Sequence, residues 1–230
     1  MWCIPPKQNA TFVACMEDVL SVYARDFNEE YPVVCMDEKP FQLLDERYEP
    51  IPMSKTNKKL KYDCEYERKG TCSIFMFTEP LAGWRNAFAL PHRTRMDWAS
   101  QMKWLLDEQY PNAKKVVLVM DNLNTHGKHS FYDTFPPEEA FRLSQRLEIH
   151  YTPKHGSWLN IAEIELSALT IQCLLGRRIP SIISLNEELS VWHTMRNSAQ
   201  KGVDWHFTTS DSRTKLKRLY PIVNFLDVGG

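Results

Sequence analysis

The chain has 230 residues, 43% of them hydrophobic and 25% charged, with a formal net charge of -1 at pH 7. Those values exclude a disordered chain and leave room for one large domain or two small ones around a substantial core. They also exclude the uniformly basic character of many nucleic-acid-binding domains. A polyanion would have to meet a local patch such as Lys55-Lys58-Lys59-Lys61, Arg93-Arg95, Arg177-Arg178 or Lys215-Lys217-Arg218, runs that are otherwise ordinary solvated faces.

After the "IPP" break, Phe12, Met16, Val19, Leu20 and Tyr23 recur at helical spacing and predict an amphipathic helix over residues 10–25. "YPVVCMDEKPFQLL" reads as a strand stopped or edged by Pro40. "KLKYDCEYERKGTCSIFMFTEP" reads as two strands around a Lys69-Gly70 turn. "RMDWASQMKWLLDEQYP" is helical, with Met96, Trp98, Met102 and Leu105 or Leu106 turned inward and Pro111 at its stop. The apolar run within residues 115–121 is that of a strand buried on both faces. "PPEEAFRLSQRL" has Pro in its first turn and acids behind it, the start of a helix over 136–147. "LEIHYTP" is a strand and "SWLNIAEIELSALTIQCLLG" a helix ending at Gly176. "SLNEELSVWHTMRN" is a further helix, with Ser184 and Glu187 at capping-box spacing, and a last one lies near 211–219. Three early strands followed by alternating units predict an α/β protein, a mixed sheet with helices on both faces.

The cysteines Cys3, Cys15, Cys35, Cys64, Cys72 and Cys173 form no C-x-x-C pair, and two of them lie in apolar runs. That pattern predicts reduced thiols rather than a disulfide frame or zinc site. The N-terminus lacks a signal-peptide pattern and no apolar stretch is long enough to span a bilayer, so a soluble intracellular protein is expected.

Two strands share one design: "PVVCMD" ends in Asp37 and "VVLVMD" in Asp121. In an open α/β sheet the functional crevice lies beyond the carboxyl ends of the strands, which is where both acids would arrive. The plainer alternative is that each Asp closes its own turn. The helix from Gly156 to Gly176 is apolar almost all round, with Glu163 and Glu165 its only charges, and so is expected to be buried. A buried carboxylate needs a partner, because stripping its water costs several kcal/mol. At about 100° per residue the two glutamates point about 200° apart, so one of them can face the acids. The other would meet solvent or a cation such as Arg177 or a C-terminal Lys, and periodicity does not choose between them. Three converging carboxylates repel unless hard cations sit between them, which fits two Mg²⁺ or Mn²⁺ ions and in-line phosphoryl transfer.

"VVCMDEKPFQLL", "VVLVMDNLNTH" and "HYTPKHGSWLNIAEIELSAL", in that order, resemble the three catalytic blocks of bacterial insertion-sequence transposases of the mariner-like superfamily, the DDE endonuclease group. The likeness runs from about "WCIPP" to "LYP". It implies a ribonuclease H-like fold and a catalytic, metal-binding triad carried onto Asp37, Asp121 and Glu163. Glu163 is chosen because Leu159, Asn160 and Glu163 meet the Leu-Asn-x-x-Glu pattern. The resemblance further implies that Asn122, Asn160 and His126 support the site, although a histidine in a turn is as ordinary a role for His126. It implies DNA as partner, both terminal inverted repeats and a target cut at TA, a homodimer on that DNA, and residence in the bacterial cytoplasm with the nucleoid.

The stretch between Asp121 and Glu163 is longer than usual for the superfamily, an excess that the helix 136–147 can absorb. The helix-turn-helix region that normally precedes such a domain is expected to be missing. The expected organisation is therefore a linker and helix over 1–29, a ribonuclease H-like core over 30–178 and a helical extension over 179–230. Arg93, Arg95, Lys154 and His155 are candidates for DNA backbone contacts. Trp158 could stack on an unpaired base, though core packing suits it better, and the plain reading of Arg177 and Arg178, at a helix C-terminus, is that they complement its dipole. The competing functions are a catalytically inactive DNA-binding or assembly module and another ribonuclease H-like nuclease.

Overall fold

Five strands, β1 (Val33–Glu46), β2 (Tyr66–Glu79), β3 (Trp84–Leu90), β4 (Val116–Met120) and β5 (Leu147–Tyr151), form one sheet in the order β3-β2-β1-β4-β5. The computed structural model describes residues 5, 7–48, 64–123, 126–199 and 201–222. β1, β2 and β3 are successively antiparallel, whereas β4 runs parallel to both β1 and β5. The pleat divides the apolar side chains between two cores. Val33, Cys35, Val117 and Val119 face α1 (Ala10–Tyr23), α5 (Ile161–Leu169) and α6 (Ile182–Ser198). Val34, Met36, Leu118 and Met120 face α2 (Arg95–Trp104) and α4 (Pro137–Gln145). β4 is covered on both faces, which is why its sequence is an unbroken apolar run. Two short helices, α3 (His129–Tyr132) and α7 (Thr209–Lys215), complete the set. Arg213 and Tyr220 both bond Glu17, tying the C-terminal segment to α1.

Several expectations from the sequence need correction. Residues 66–79 are one strand, not two; Gly70, at φ +103°, lies in a bulge where Lys69 is the extra residue against Leu43 and Leu44 of β1. The hairpin falls later, at residues 80–83, where Gly83 supplies the positive φ, and its second strand is β3. Pro40 does not stop β1. Beyond Cys35 that strand is paired with β2 alone, so the proline's missing N–H can face the unpaired side. Met96 is 59% exposed rather than inward. α6 begins before Ser184, because the side chain of Ser181 accepts the Ser184 N–H and caps it. Nor is the helix expected over 156–176 buried all round: Ile164 of α5 and, past its end, Ile171 and Leu175 are exposed. Cys15, Cys35, Cys64, Cys72 and Cys173 are unpaired thiols, the first only partly buried and Cys64 exposed. Cys3, the lysines 55, 58, 59 and 61, and residues 59–63 of the expected strand lie outside the described residues.

The β3 edge is closed by a helix. The Asn186 side chain of α6 accepts the Ala89 N–H at 2.7 Å and donates to the Ala89 carbonyl at 3.0 Å. Asn197 does the same for Arg85, at 2.9 and 2.8 Å. Arg85 and Ala89 thus find amide partners, and Ala87 between them donates to His193 Nδ1 at 3.4 Å, where a sixth strand would pair. Asn186→Ala leaves both Ala89 groups without those partners and should lower unfolding stability by about 1–3 kcal/mol, read as a lower urea midpoint at unchanged slope.

Candidate active site

Strand register decides where the two aspartates meet. Val33, Val34 and Cys35 pair with Val117, Leu118 and Val119, and the same offset continued two residues puts Asp37 level with Asp121. Neighbouring strands lie about 4.8 Å apart. Asp37 shares the parity of Val33 and Cys35, so it points to the face that carries α5.

Asn160 brings the glutamate to them. It is 2% exposed, and as N-cap of α5 its side-chain oxygen accepts the Ala162 N–H at 3.1 Å while its amide donates to the Met36 carbonyl at 2.8 Å. One side chain therefore starts the helix and fastens it to β1 next to Asp37. Glu163 sits in the first turn of α5 and lines a pocket of about 220 Å³ with Asp37, Glu38, Lys39 and Ser167. Glu165 leaves in the other direction and bonds Arg196 through both carboxylate oxygens at 3.0 and 3.1 Å, with Arg85 Nε at 3.2 Å. Its partners are these two arginines, not the Arg177 or terminal Lys that the sequence suggested.

Burial pushes the Asp37 carboxyl up to about 7, and the charges of Asp121, Glu163 and Glu38 push the same way. The Glu38 N–H, donating to Asp37 Oδ1 at 2.7 Å, opposes them. Asp121 lies just past β4 with its side chain 43% exposed. The donor set is all carboxylate oxygen, the chemistry of a hard divalent cation, and positive charge is what the repelled Asp37 lacks. Among the described residues no three ligating side chains already close around one point. What the structure shows is that Asp37 feels the charges of both Asp121 and Glu163.

Of the other residues singled out in the sequence, His126 is buried, with Nε2 3.0 Å from Glu38 Oε1 and Nδ1 3.7 Å from Asp121 Oδ1. Burial alone would lower its pKa, but the two carboxylates outweigh burial and hold it up at about 9. Asn122 is exposed, and it lines a cleft of about 680 Å³ with Asp121, Lys154, His155, Ser157 and α1 residues including Thr11 and Cys15. His155 adopts φ +65°, a left-handed turn that presents it at this cleft. Arg93 is 54% exposed and reaches Glu38 at 4.0 Å. Arg95 is turned away onto Asp133 at 3.2 Å. Trp158 packs edge-on against Phe207, ring centroids 5.8 Å apart, at the border of the core. Sequence reasoning missed Glu38, which looks like an ordinary strand charge, and Lys39, whose ammonium is tied to Thr170 Oγ1 at 2.5 Å.

A mixed five-stranded sheet with two level aspartates and a stapled helical glutamate defines a class that comparison with known proteins identifies. Residues 32–186 match the model of the DDE superfamily endonucleases, and the chain belongs to that family. Among solved structures it is similar to the Mos1 strand transfer complex, with a TM-score of 0.58 and 14% identity over 87% of this chain and 58% of that one. It is also similar to the Mos1 mariner paired end complexes with Mn (TM-score 0.56, 16% identity, 86% and 60% covered) and with Mg (0.61, 14%, 95% and 66%). The chain thus spans about three fifths of the length of the first structures it resembles. No curated protein matches it in sequence. The ribonuclease H-like fold is the one the sequence led us to expect. Among the described residues no helix is long and apolar enough to cross a membrane.

The two glutamates should behave oppositely. Glu165→Ala strands Arg85, 2% exposed, and should cost about 3–5 kcal/mol in urea unfolding, whereas Glu163→Gln should stay within about 1 kcal/mol of the parent. Folding raises the Asp37 pKa from 3.8 to about 7. The folded protein therefore keeps a proton that the unfolded chain releases, and stability falls as pH rises across that window. Asp37→Asn removes the penalty. Without divalent metal at pH 8 it should melt above the parent, by about 2–4 °C per kcal/mol of repulsion relieved, and the difference should vanish near pH 4.

Proposed function

We propose that the chain is the catalytic domain of a transposase, cleaving DNA at element ends and joining the freed 3′-hydroxyl to target DNA. The observation that carries this reading is the arrangement of Asp37, Asp121 and Glu163, two carboxylates level on adjacent strands and a third fastened beside them by Asn160. These three would hold two Mg²⁺ or Mn²⁺ ions, which when bound activate the attacking oxygen and stabilise the leaving one. β1 fixes Asp37 on a rigid element, β4 delivers Asp121 just past its last paired residue, and Asn160 sets where Glu163 can reach. His126 keeps Asp121 oriented, and Asn122 lies beside it on the substrate side. The strand-transfer and paired-end complexes of the Mos1 neighbours, one with a left transposon end, support DNA as partner, and a homodimer on that DNA would be the working form.

Substrate DNA would enter along the 680 Å³ cleft, where Lys154 and His155 can meet phosphates, with Arg93 beyond the acids. Arg95 would contribute after releasing Asp133, and Trp158 would stack on a base only at the expense of its packing. Residues 30–178 would be the catalytic core, with 1–29 leading into it and 179–230 packed on it. Chromosomal DNA as substrate would place the protein in the bacterial cytoplasm with the nucleoid.

The test is nicking of supercoiled plasmid by the purified chain in Mn²⁺ and in Mg²⁺. Activity should require the metal and fall at least about a hundredfold in Asp37→Asn, Asp121→Asn and Glu163→Gln, the scale on which removing one stabilising group lowers turnover. Metal-dependent nicking that survives in all three variants would defeat the reading.

A further inference from the structure

Glu38 follows Asp37 on β1, so its side chain points to the opposite face of the sheet, and it is 3% exposed there. Neither carboxylate oxygen has an aligned hydrogen-bond donor. Its partners are ionic: His126 Nε2 at 3.0 Å and the exposed Arg93 at 4.0 Å. A carboxylate stripped of water is retained only where a nearby polar or charged group compensates it, and the buried group at hand is the His126 imidazole, 1% exposed. The imidazole is fixed from a third side by Trp98, whose ring stacks on it at 5.8 Å with 18° between planes. Its backbone is held as well, since the His126 N–H bonds the Leu123 carbonyl at 3.0 Å and its own carbonyl accepts the Tyr151 hydroxyl at 3.3 Å. The remaining ring nitrogen faces Asp121 at 3.7 Å.

Asp121 needs such a hold. It lies beyond the last paired residue of β4, so no ladder hydrogen bond fixes it, and its side chain is 43% exposed. Asp37 is inside β1 and is held by the Glu38 N–H. We propose that Glu38 and His126 form a buried strut, running from β1 under the sheet to Asp121, that holds the second carboxylate in register with the first. This rests on the metal-binding reading of the acids and names two positioning residues for it. Groups that orient a metal ligand typically contribute 10- to 100-fold to metal affinity.

The strut makes a prediction opposite in sign to simple charge counting. Removing a cation beside a divalent site should strengthen metal binding if only net charge matters. If the His126 ring positions Asp121, its removal weakens binding instead. Mn²⁺ affinity of the purified chain, followed by the loss of the free Mn²⁺ paramagnetic signal on titration, should fall about 10- to 100-fold in His126→Gln. The double variant Glu38→Leu, His126→Leu keeps the net charge of the pair and replaces a buried ion pair with apolar groups, a change that proteins often tolerate. It should show the same loss with its metal-free melting transition intact, so the test survives if His126→Gln does not fold. Unchanged or tighter Mn²⁺ binding in the double variant would overturn the strut. Asp37→Asn in the same titration separates the two readings. If it abolishes binding while the double variant binds normally, the strut is wrong and the metal site stands; if it binds Mn²⁺ as the parent does, the metal site itself is wrong.

Discussion

Three parallel pairs between β1 and β4 are the constraint on which this site depends. They set two strands at one height, and the pleat does the rest by choosing the face. A slip of one residue would send Asp37 to the Trp98 side and Glu38 to the α5 side, exchanging a site for a buried repulsion. The apolar runs before each aspartate therefore have a purpose beyond filling the core. They specify register, and register specifies which carboxylates meet.

The second constraint is the fastening of α5. A helix packed only through apolar contacts can rotate or slide by fractions of a turn, whereas Asn160 fixes both its start and its distance from β1. This accounts physically for an asparagine three residues before the glutamate: the N-cap position must precede the first turn, and the first turn is where Glu163 sits. It also accounts for how like charges are tolerated. Asp37, Asp121 and Glu163 approach from three separately anchored elements, so their mutual repulsion is borne by strand pairing, a cap and two apolar cores.

Much of this could be read from the chain itself, and the remainder failed for identifiable reasons. The apolar run before Asp121 marked a strand tip because both faces of β4 are covered, whereas the run before Asp37 marked only the doubly covered start of β1: that strand continues to Glu46, and Asp37 lies inside it rather than at its end. The choice between Glu163 and Glu165 could not come from periodicity, since helical phase separates the two without saying which faces the strands. The Leu-Asn-x-x-Glu likeness favoured Glu163, and what periodicity could not supply was the place of Glu165, whose partners, Arg85 on β3 and Arg196 on α6, are remote in sequence. Gly70 misled because a glycine with positive φ serves a bulge as well as a turn. Glu38 was illegible because a charge next to a strand acid has the sequence appearance of a solvent-facing residue, and only the fold reveals His126 beneath it.

The clamp on Glu165 bears on how the group of acids could tighten. Glu163 and Glu165 leave the same helical turn in nearly opposite directions, and the second is gripped by guanidinium groups from β3 and α6, with Arg85 and Glu165 almost fully enclosed. The first turn of α5 is thus pinned at both flanks, by Asn160 toward β1 and by the arginines toward α6. Carrying Glu163 inward by shifting the whole helix would tear a desolvated charge from its counterions. On the other side Asp121 lies just beyond the last paired residue of β4, with its side chain 43% exposed. Any narrowing around an ion therefore falls to rotation of the Glu163 and Asp121 side chains, with the first turn of α5 serving as the fixed jaw.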